Sequence, residues 1–412
     1  MTPTTRCAAI VAAVALSAIV LPTGVSIAAL LVVLGATLVD AVSVRVPPRI
    51  RRTVATSLSR GEETTLAVDA VAADSRRVLL RQPASAAVGV SVQAGERQLR
   101  GTVLPRRRGR QTLPGVASAS LGPLGLARWH HPAGEPLELQ VYPNMVRARE
   151  LTLRLRAGRA ALDGRLRRGP LGLGTDFDSV RDYSPDDDVR QVNWRATSRL
   201  GRPMSNQYRV EQDHDVVCVL DAGRLMGAPT GHGTLLDVAL DAVAAVALAT
   251  DELGDRCGAV AFDAEIRRHV APRRLGGRRV LNALFDLQPT GVDSDFERAF
   301  LSVGGSRRGL VIVLTDLIDE RAARSLLRAA PMLTRRHAVV VAGVRDGDLD
   351  SAVGASEEDS ARALAAASVL REREAAGAKI RRLGAEVSLA PAELLAKRCV
   401  QAYLRAKARV RL

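Results

Sequence analysis

The chain has 412 residues, 47% of them hydrophobic and 25% charged, which is ordinary for a globular protein of two or three domains. Its net charge of +15 suits an anionic membrane surface, an acidic protein or nucleic acid. The arginines are spread along the chain rather than gathered on one predicted helix with aromatic residues, so we expect no nucleic-acid partner and keep nucleic-acid binding only as an alternative function. The cysteines are far apart and have no histidine at metal spacing, which argues against a disulfide framework and indicates a reducing compartment; they are Cys7, Cys218, Cys257 and Cys399.

Two apolar runs dominate residues 1–45, and the turn-forming sequence Leu21-Pro22-Thr23-Gly24 separates them. This pattern predicts a membrane hairpin with two short helices at about residues 7–21 and 25–42. Each run is a little short for a bilayer core of about 30 Å, so one long kinked span stays open as an alternative.

Positive charges flank the hairpin on both sides, and the turn between its arms has none. Arg6 precedes the first arm, and Arg45, Arg49, Arg51 and Arg52 follow the second. Because positive charge marks the cytoplasmic side, we expect both ends inside, with the soluble domains in the cytoplasm and the hairpin in the plasma membrane. A cleaved signal peptide is the alternative, but a second apolar run directly after the cleavage position argues against it.

Residues 46–145 contain short alternating runs between glycines and prolines, such as residues 64–71, 88–92 and 137–141. Alternation of this kind is typical of half-buried antiparallel strands, so we predict a small antiparallel β-sandwich. The basic run Arg106–Arg110 could contact lipid headgroups or an acidic partner, or it could be a solvated loop that protects a strand edge.

Residues 146–214 form a polar segment in which acids and arginines alternate closely between residues 174 and 199. It contains Trp194, one of two tryptophans in the chain, between Asn193 and Arg195. A solvated loop does not need a tryptophan in this position, so the density of charge around an aromatic residue indicates a folded polar cluster.

Residues 215–412 alternate between strand and helix patterns, which predicts a mainly parallel sheet with helices on both faces. The predicted strands are residues 215–220, 257–262, 266–270, 309–314, 338–344 and 386–389. The predicted helices are residues 233–253, 280–287, 296–303, 320–334, 361–383 and 391–409. Sheets of this class place their functional groups at the carboxyl ends of the strands.

The polar segment resembles the signature of the bacterial domain of unknown function 58 family. The matching positions are Gly172, Gly174, Asp176, Phe177, Arg181, Tyr183, Asp187, Asp188, Arg190, Val192, Asn193 and Trp194. Arg195, Ser198, Arg199 and Glu211 continue the pattern, whereas Asp186 stands where the family has a glycine. The order of parts is also similar to that family, in which a membrane hairpin, a β-sandwich and the signature precede a von Willebrand factor A-like domain.

The resemblance implies partnership with a MoxR-type AAA+ ATPase in assembly, in chaperone-like work or in envelope stress. It implies no established enzymatic activity. We therefore expect a membrane-anchored, non-enzymatic adaptor that faces the cytoplasm, contacts membrane lipid and takes no small-molecule substrate.

Von Willebrand A domains commonly bind a divalent cation through an Asp-x-Ser-x-Ser loop, a later threonine and a later aspartate. Here the loop begins at Asp221, and Gly223 and Leu225 replace both serines. Thr290 and Asp316 stand at the other two positions. Because two hydroxyl ligands are gone, we expect no resident cofactor, with Mg²⁺ at this degenerate loop as the alternative. In the absence of a metal, aspartates in such loops cap helices or accept hydrogen bonds from loop amides.

A metal-dependent hydrolase or phosphoryl-transfer enzyme is the competing function, because clustered carboxylates can hold two metals. Interleaved arginines would neutralise those acids in ion pairs, and the chain has no phosphate-binding glycine-rich loop that ends in Lys-Ser or Lys-Thr. We therefore predict partner binding by one polar face, where the signature lies against the Asp221 and Asp316 loops. The predicted partner-binding residues are Asp176, Arg181, Tyr183, Asp187, Asp188, Arg190, Trp194, Arg195, Ser198, Arg199 and Glu211. A purely structural role for this cluster is the alternative.

Overall fold

The computed structural model describes residues 1–71, 77–162, 171–209, 214–231, 233–303, 307–316, 320–345 and 360–409. The chain divides into two compact units, Met1–Asn144 and Met145–Leu412. The polar segment thus belongs to the same unit as the α/β region that follows it.

The first unit begins with two apolar helices, α1 (Thr5–Ser17) and α2 (Thr23–Ser43). Thr4 begins α1, because its hydroxyl accepts a hydrogen bond from the Cys7 amide at 3.3 Å. Helix α2 has a mean hydropathy of 2.4 and is long enough to cross a membrane. Helix α1 is shorter than the predicted run at residues 7–21, because the backbone turns after Ser17. Its 13 residues rise only about 20 Å.

Twelve strands are described in the first unit. They are β1 (Thr2–Pro3), β2 (Arg49–Thr53), β3 (Ser57–Ser59), β4 (Thr64–Val71), β5 (Arg77–Arg81), β6 (Val88–Val90), β7 (Ala94–Glu96), β8 (Gln98–Pro105), β9 (Gly109–Leu113), β10 (Ala117–Leu121), β11 (Ala127–His131) and β12 (Leu137–Tyr142). They form sheets in the orders β1-β11-β10-β5-β7, β2-β4-β8-β6 and β3-β12-β9. Neighbouring strands run antiparallel except for β3 and β12, which are parallel.

Alternation along these strands explains their core. In β4, for example, Leu66 and Val68 are buried while Thr65 faces solvent, since successive side chains point to opposite faces of a strand. Buried leucines from four further strands join them, namely Leu80, Leu99, Leu113 and Leu139. The sequence therefore encodes this core through its period-two pattern.

The second unit begins with a helix that the sequence pattern did not predict, α3 (Met145–Leu162). Arginines recur along it, so it has no apolar stripe that marks a helix in the sequence.

The remaining strands are β13 (Leu171–Asp182), β14 (Met204–Arg209), β15 (Asp215–Asp221), β16 (Pro229–Thr230), β17 (Gly233–Thr234), β18 (Arg256–Phe262), β19 (Ile266–Arg274), β20 (Gly309–Leu314), β21 (Ala338–Val344) and β22 (Glu386–Ala390). The remaining helices are α4 (Trp194–Leu200), α5 (Leu235–Leu253), α6 (Gly277–Leu284), α7 (Phe296–Val303), α8 (Glu320–Thr334), α9 (Ser360–Arg382) and α10 (Ala392–Arg409).

The centre of this unit is a six-stranded sheet in the order β19-β18-β15-β20-β21-β22. Five of its strands are parallel, and β19 pairs antiparallel with β18 at one edge. Strand β15 is buried over its whole length, as expected for a central strand covered on both faces. The α/β expectation for residues 215–412 is thereby confirmed at the level of fold class.

Helix α5 shows how local chemistry sets the ends of these elements. Thr234 and Asp237 form a capping box, in which each side chain accepts a hydrogen bond from the other residue's backbone amide. Gly254 ends the helix at a φ of 77°, a backbone conformation that favours glycine. The observed helix therefore begins two residues later than the predicted one, since Gly233 belongs to β17.

Candidate functional site

The signature residues lie on a long hairpin made by β13 and β14, which pair antiparallel. The connection between the strands contains a short 3₁₀ turn, Val189–Gln191, and helix α4. Asn206 and Asn193 join the connection to β14, because the Asn193 side-chain amide donates to Asn206 Oδ1 at 2.7 Å.

One group of signature residues holds this connection in place. Arg181 Nη2 lies 2.5 Å from Asp187 Oδ1, and the Ser184 amide donates to Asp187 Oδ2 at 2.9 Å. The Tyr183 hydroxyl donates to the Asp187 carbonyl at 3.4 Å. The Ser184 amide, with Arg181, lowers the pKa of the Asp187 carboxyl below its usual value, so Asp187 stays charged at neutral pH.

Two more signature residues cap short helical turns. Asp188 Oδ1 accepts a hydrogen bond from the Arg190 amide at 2.9 Å, which begins the 3₁₀ turn. Asn193 Oδ1 accepts one from the Ala196 amide at 2.9 Å, which begins α4. Caps of this kind stabilise a helix by about 1 kcal/mol. The polar residues of this segment thus serve partly to fix its local fold.

A second group faces solvent and forms what we call the signature surface: Val189, Arg190, Trp194, Arg195, Ser198, Arg199 and Leu200. The exposed fractions are 71% for Trp194, 67% for Val189 and 57% for Leu200. Large apolar side chains at such exposure, among several arginines, are unusual for a surface that stays in water. The sequence predicted these arginines and the tryptophan as site residues, but it did not single out Val189 or Leu200.

The structure does not describe the side chains of two predicted site residues. Glu211 lies outside the described residues, and so does the side chain of Asp176, whose backbone pairs with Arg209. The contacts described for the signature join its residues to one another. The predicted joint face with the Asp221 and Asp316 loops therefore stays a prediction.

Asp221 is the last residue of β15. It lies where the parallel strands of the six-stranded sheet end, which we call the carboxyl edge, and only 3% of it is exposed. Its Oδ1 accepts hydrogen bonds from the Ser294 hydroxyl at 2.5 Å and the Gly223 amide at 2.8 Å. Its Oδ2 accepts one from the Thr315 hydroxyl at 2.6 Å. Burial raises the pKa of Asp221 above its usual value, although these three donors act in the opposite direction.

Gly223 and Ser294 together decide which hydroxyl reaches Asp221. A Cβ atom on Gly223 would lie 2.1 Å from Ser294 Oγ, which is far too close for a side chain at both positions. The hydroxyl that reaches Asp221 therefore comes from a residue 73 positions away instead of from the loop itself. Sequence reasoning missed Ser294 and Thr315; the signal that could have found Thr315 is its place beside Asp316, after a buried strand.

The other two predicted metal residues have partners within the protein. The Thr290 amide and hydroxyl both donate to the Ala222 carbonyl, at 2.8 Å and 3.2 Å. Asp316 is buried and lies 3.3 Å from Arg373 Nη2. A cation at this edge would have to displace Arg373 from Asp316, and in the described part of the chain no three His, Cys, Asp or Glu residues are grouped to hold a metal. The residues present are therefore a poor fit to a divalent cation.

The opposite, amino edge of the same sheet holds a buried charged cluster that the sequence did not reveal. Asp255, 1% exposed, lies 2.6 Å from Lys407 Nζ and accepts a hydrogen bond from the Tyr403 hydroxyl. The His214 amide also donates to Asp255, at 3.3 Å. Burial by itself would raise the pKa of Asp255, but His214, Lys407 and Tyr403 outweigh it and lower the pKa. This cluster fastens α10 to the start of β18.

Comparison with known proteins finds a similar family and similar relatives, and none of their descriptions names an activity. Residues 179–379 match the family described as "Protein of unknown function DUF58". "Uncharacterized protein Mb1516" of Mycobacterium bovis (strain ATCC BAA-935 / AF2122/97) is 28% identical over 212 residues, which are 49% of this chain and 64% of that protein. "Uncharacterized protein Rv1480" of Mycobacterium tuberculosis (strain ATCC 25618 / H37Rv) gives the same identity and coverage. The match thus spans less than two thirds of these relatives.

Among solved structures, a cohesin module from a Clostridium perfringens ATCC13124 family 33 glycoside hydrolase covers 23% of this chain and 96% of its own. Its sequence identity is 8% and its TM-score 0.17, values too low to inform the fold. The family rests instead on the sequence match, which begins within the signature hairpin and ends in α9. Residues 179–379, just under half of the chain, thus match the family of proteins of unknown function DUF58.

Proposed function

We propose that this protein is a membrane-anchored, non-enzymatic adaptor whose soluble units lie in the cytoplasm. Its partner in this proposal is a MoxR-type AAA+ ATPase, which the sequence resemblance suggested. The protein would present the signature surface to that partner and thereby bring the ATPase to the membrane.

The observation that carries the proposal is the exposure of Trp194 among arginines. Tryptophan and arginine are the residues most enriched at the energetic centres of protein interfaces, and Trp194 is 71% exposed. Asp187 and Asn193 fix the backbone beneath this surface. A surface that is already ordered loses little entropy on binding, which favours affinity.

The state of the carboxylates supports a binding role over catalysis. Asp187 pairs with Arg181, and Asp316 pairs with Arg373. Asp221 accepts hydrogen bonds from three donors. Carboxylates that are engaged in this way are not arranged as a pair for metal binding or for acid and base catalysis.

The finer architecture belongs to the same proposal. The sheets of residues 1–144 fit a small β-sandwich, and the six-stranded sheet fits a von Willebrand factor A-like domain. In that fold the carboxyl edge of the sheet commonly binds partners through a cation. Here Arg373 forms an ion pair with Asp316 at this edge.

Affinity capture from detergent-solubilised membranes tests the function. The tagged full chain, with and without ATP, is expected to retain a MoxR-type ATPase, and Trp194→Ala or Arg195→Ala should reduce its recovery at least tenfold. A loss of this size is typical when an aromatic or arginine at an interface centre is truncated.

Leu301→Ala and Arg328→Ala are matched controls, because they truncate the same kinds of exposed side chain on other helices. They should leave recovery unchanged. Recovery of no ATPase under either condition would reject the partner, and equal losses in the controls would reject the signature surface as its binding site.

A further inference from the structure

The two ends of the α1–α2 hairpin are fixed to the same place on the β-sheets of the first unit. At the first end, Thr2 and Pro3 pair with β11, and the Thr4 hydroxyl donates to the Gly125 carbonyl at 2.6 Å. At the second end, Asp40 of α2 is 1% exposed. Its carboxylate accepts hydrogen bonds from three backbone amides, those of Leu124, Leu126 and Ala127, at 2.8, 2.8 and 2.9 Å.

This attachment leaves no room for a loose linker between hairpin and sheets. A Cβ atom on Gly122 would lie 2.2 Å from the Asp40 carboxyl carbon, so the loop backbone packs directly on that side chain. Three charge-assisted hydrogen bonds hold a carboxylate firmly. The hairpin and the sheets of this unit are therefore in direct contact at their junction.

The junction has the chemistry of a membrane interface. We define the junction collar as Arg6, Arg45, Arg49 and Leu124. Leu124 is 56% exposed at the tip of the loop that Asp40 holds. The three arginines are exposed, and within the described part of the chain they form no ion pair. Arg6 lies against the loop, since a Cβ on Gly125 would be 3.4 Å from its Nη1.

The strand register locates the collar at one end of the unit. Arg49 pairs with Val71, and Thr64, at the other end of β4, pairs with Val103. Val71 lies seven residue steps along the strand from Thr64, which is about 23 Å. Arg106 follows directly after β8 on the far side, so the basic run of residues 106–110 is not beside the hairpin. The sequence expectation that this run contacts lipid is therefore not supported by its position.

We infer that the junction collar is a lipid-binding surface that takes the phosphate headgroups of anionic lipids, with Leu124 inserted beside the hairpin. This inference rests on the membrane anchoring in the proposed function. The apolar hairpin places the collar at the bilayer surface, and exposed arginines at that depth attract anionic headgroups. The β-unit would then stand on the membrane in one fixed orientation.

Labelling the full chain in vesicles tests the position of the collar. The four native cysteines are buried, so Leu124→Cys provides a single accessible site for an environment-sensitive fluorophore. In phosphatidylcholine vesicles that contain phosphatidylglycerol, this label should be quenched by headgroup-attached nitroxides. A label at Glu63→Cys, on the far end of β4, should remain in water.

Titration with short-chain phosphatidylglycerol in neutral detergent tests the headgroup. Arg45→Gln/Arg49→Gln should weaken binding about 25-fold, at about fivefold for each arginine. Arg106→Gln/Arg107→Gln, which removes the same charge from the far end, should leave it unchanged. Soluble glycerol phosphate should not compete at equal concentration, because it lacks the apolar chains.

Each failure has a distinct meaning. If the chain does not float with vesicles, the anchoring in the proposed function fails together with this inference. If it floats but the Leu124→Cys label stays in water, or if both arginine pairs weaken binding equally, only the lipid-binding collar is overturned. Effective competition by glycerol phosphate would reassign the collar to a soluble phosphate ligand.

Discussion

The two edges of the six-stranded sheet hold buried aspartates whose pKa values are shifted in opposite directions. At the carboxyl edge, neutral hydroxyls and an amide surround Asp221, and burial raises its pKa. At the amino edge, the donors around Asp255 include a lysine ammonium, and together they lower its pKa although burial opposes them. The comparison teaches that burial alone does not set the direction in which the pKa of a carboxyl group shifts. The donors around Asp221 only reduce the effect of burial, whereas His214, Lys407 and Tyr403 together reverse it at Asp255.

The largest expected effect is the loss of stability when the buried ion pair at the amino edge is broken. Asp255→Ala leaves Lys407 buried without its partner, and breaking a buried ion pair in this way costs about 3–5 kcal/mol. We expect the free energy of unfolding of the full chain in mild detergent, measured by urea denaturation, to fall by that amount. The double variant Asp255→Leu/Lys407→Met removes both charges and should recover most of the loss. No recovery would show that the cost lies in packing and not in the unpaired charge.

A smaller expected effect is the pH dependence of the stability that each aspartate contributes, which distinguishes Asp255 from Asp221. The stabilisation by Asp255 is present above the unfolded pKa of about 3.9 and is lost as the pH falls through its lower folded pKa. Asp221 behaves oppositely, because its folded pKa is raised: its contribution is largest below about pH 3.9 and declines as the pH rises through the folded pKa.

The cost of Asp255→Asn should therefore grow from acid to neutral pH, and the cost of Asp221→Asn should shrink over the same range. Urea denaturation of both variants between acid and neutral pH measures the two slopes. Slopes of the same sign would contradict the opposite pKa shifts of Asp221 and Asp255.

The smallest expected effect concerns the Ser294 hydroxyl, which donates to Asp221. Ser294→Ala removes one hydrogen bond to Asp221 and should lower the free energy of unfolding by about 1–2 kcal/mol, since a buried carboxyl oxygen then has one donor fewer. Ser302→Ala is the matched control, because its hydroxyl donates only to the Ala299 carbonyl within its own helix. An equal cost in both variants would mean that Ser294 has no special role at the carboxyl edge.

The sequence by itself determined the elements with strong local signals. Period-two alternation placed β4, and continuous apolar runs placed β15 and β20 within a residue of their observed ends. Asp221 and Asp316 were expected at the carboxyl ends of strands, and they lie there. Local signals suffice in these cases because side-chain periodicity and strand length are properties of neighbouring residues. Helix α3 was not predicted, because the arginines along it interrupt any apolar stripe.

Only the tertiary structure decided which distant residues meet. Ser294 reaches Asp221 across 73 residues, Tyr403 reaches Asp255 across 148, and Asp40 reaches the loop at Leu126 across 86. It also separated the signature into residues that lock its fold, such as Asp187, and residues that face solvent, such as Trp194. The physical reason is that the strand order of a parallel sheet, and the burial of each side chain, follow from packing between elements. Spacing along one chain does not contain that information.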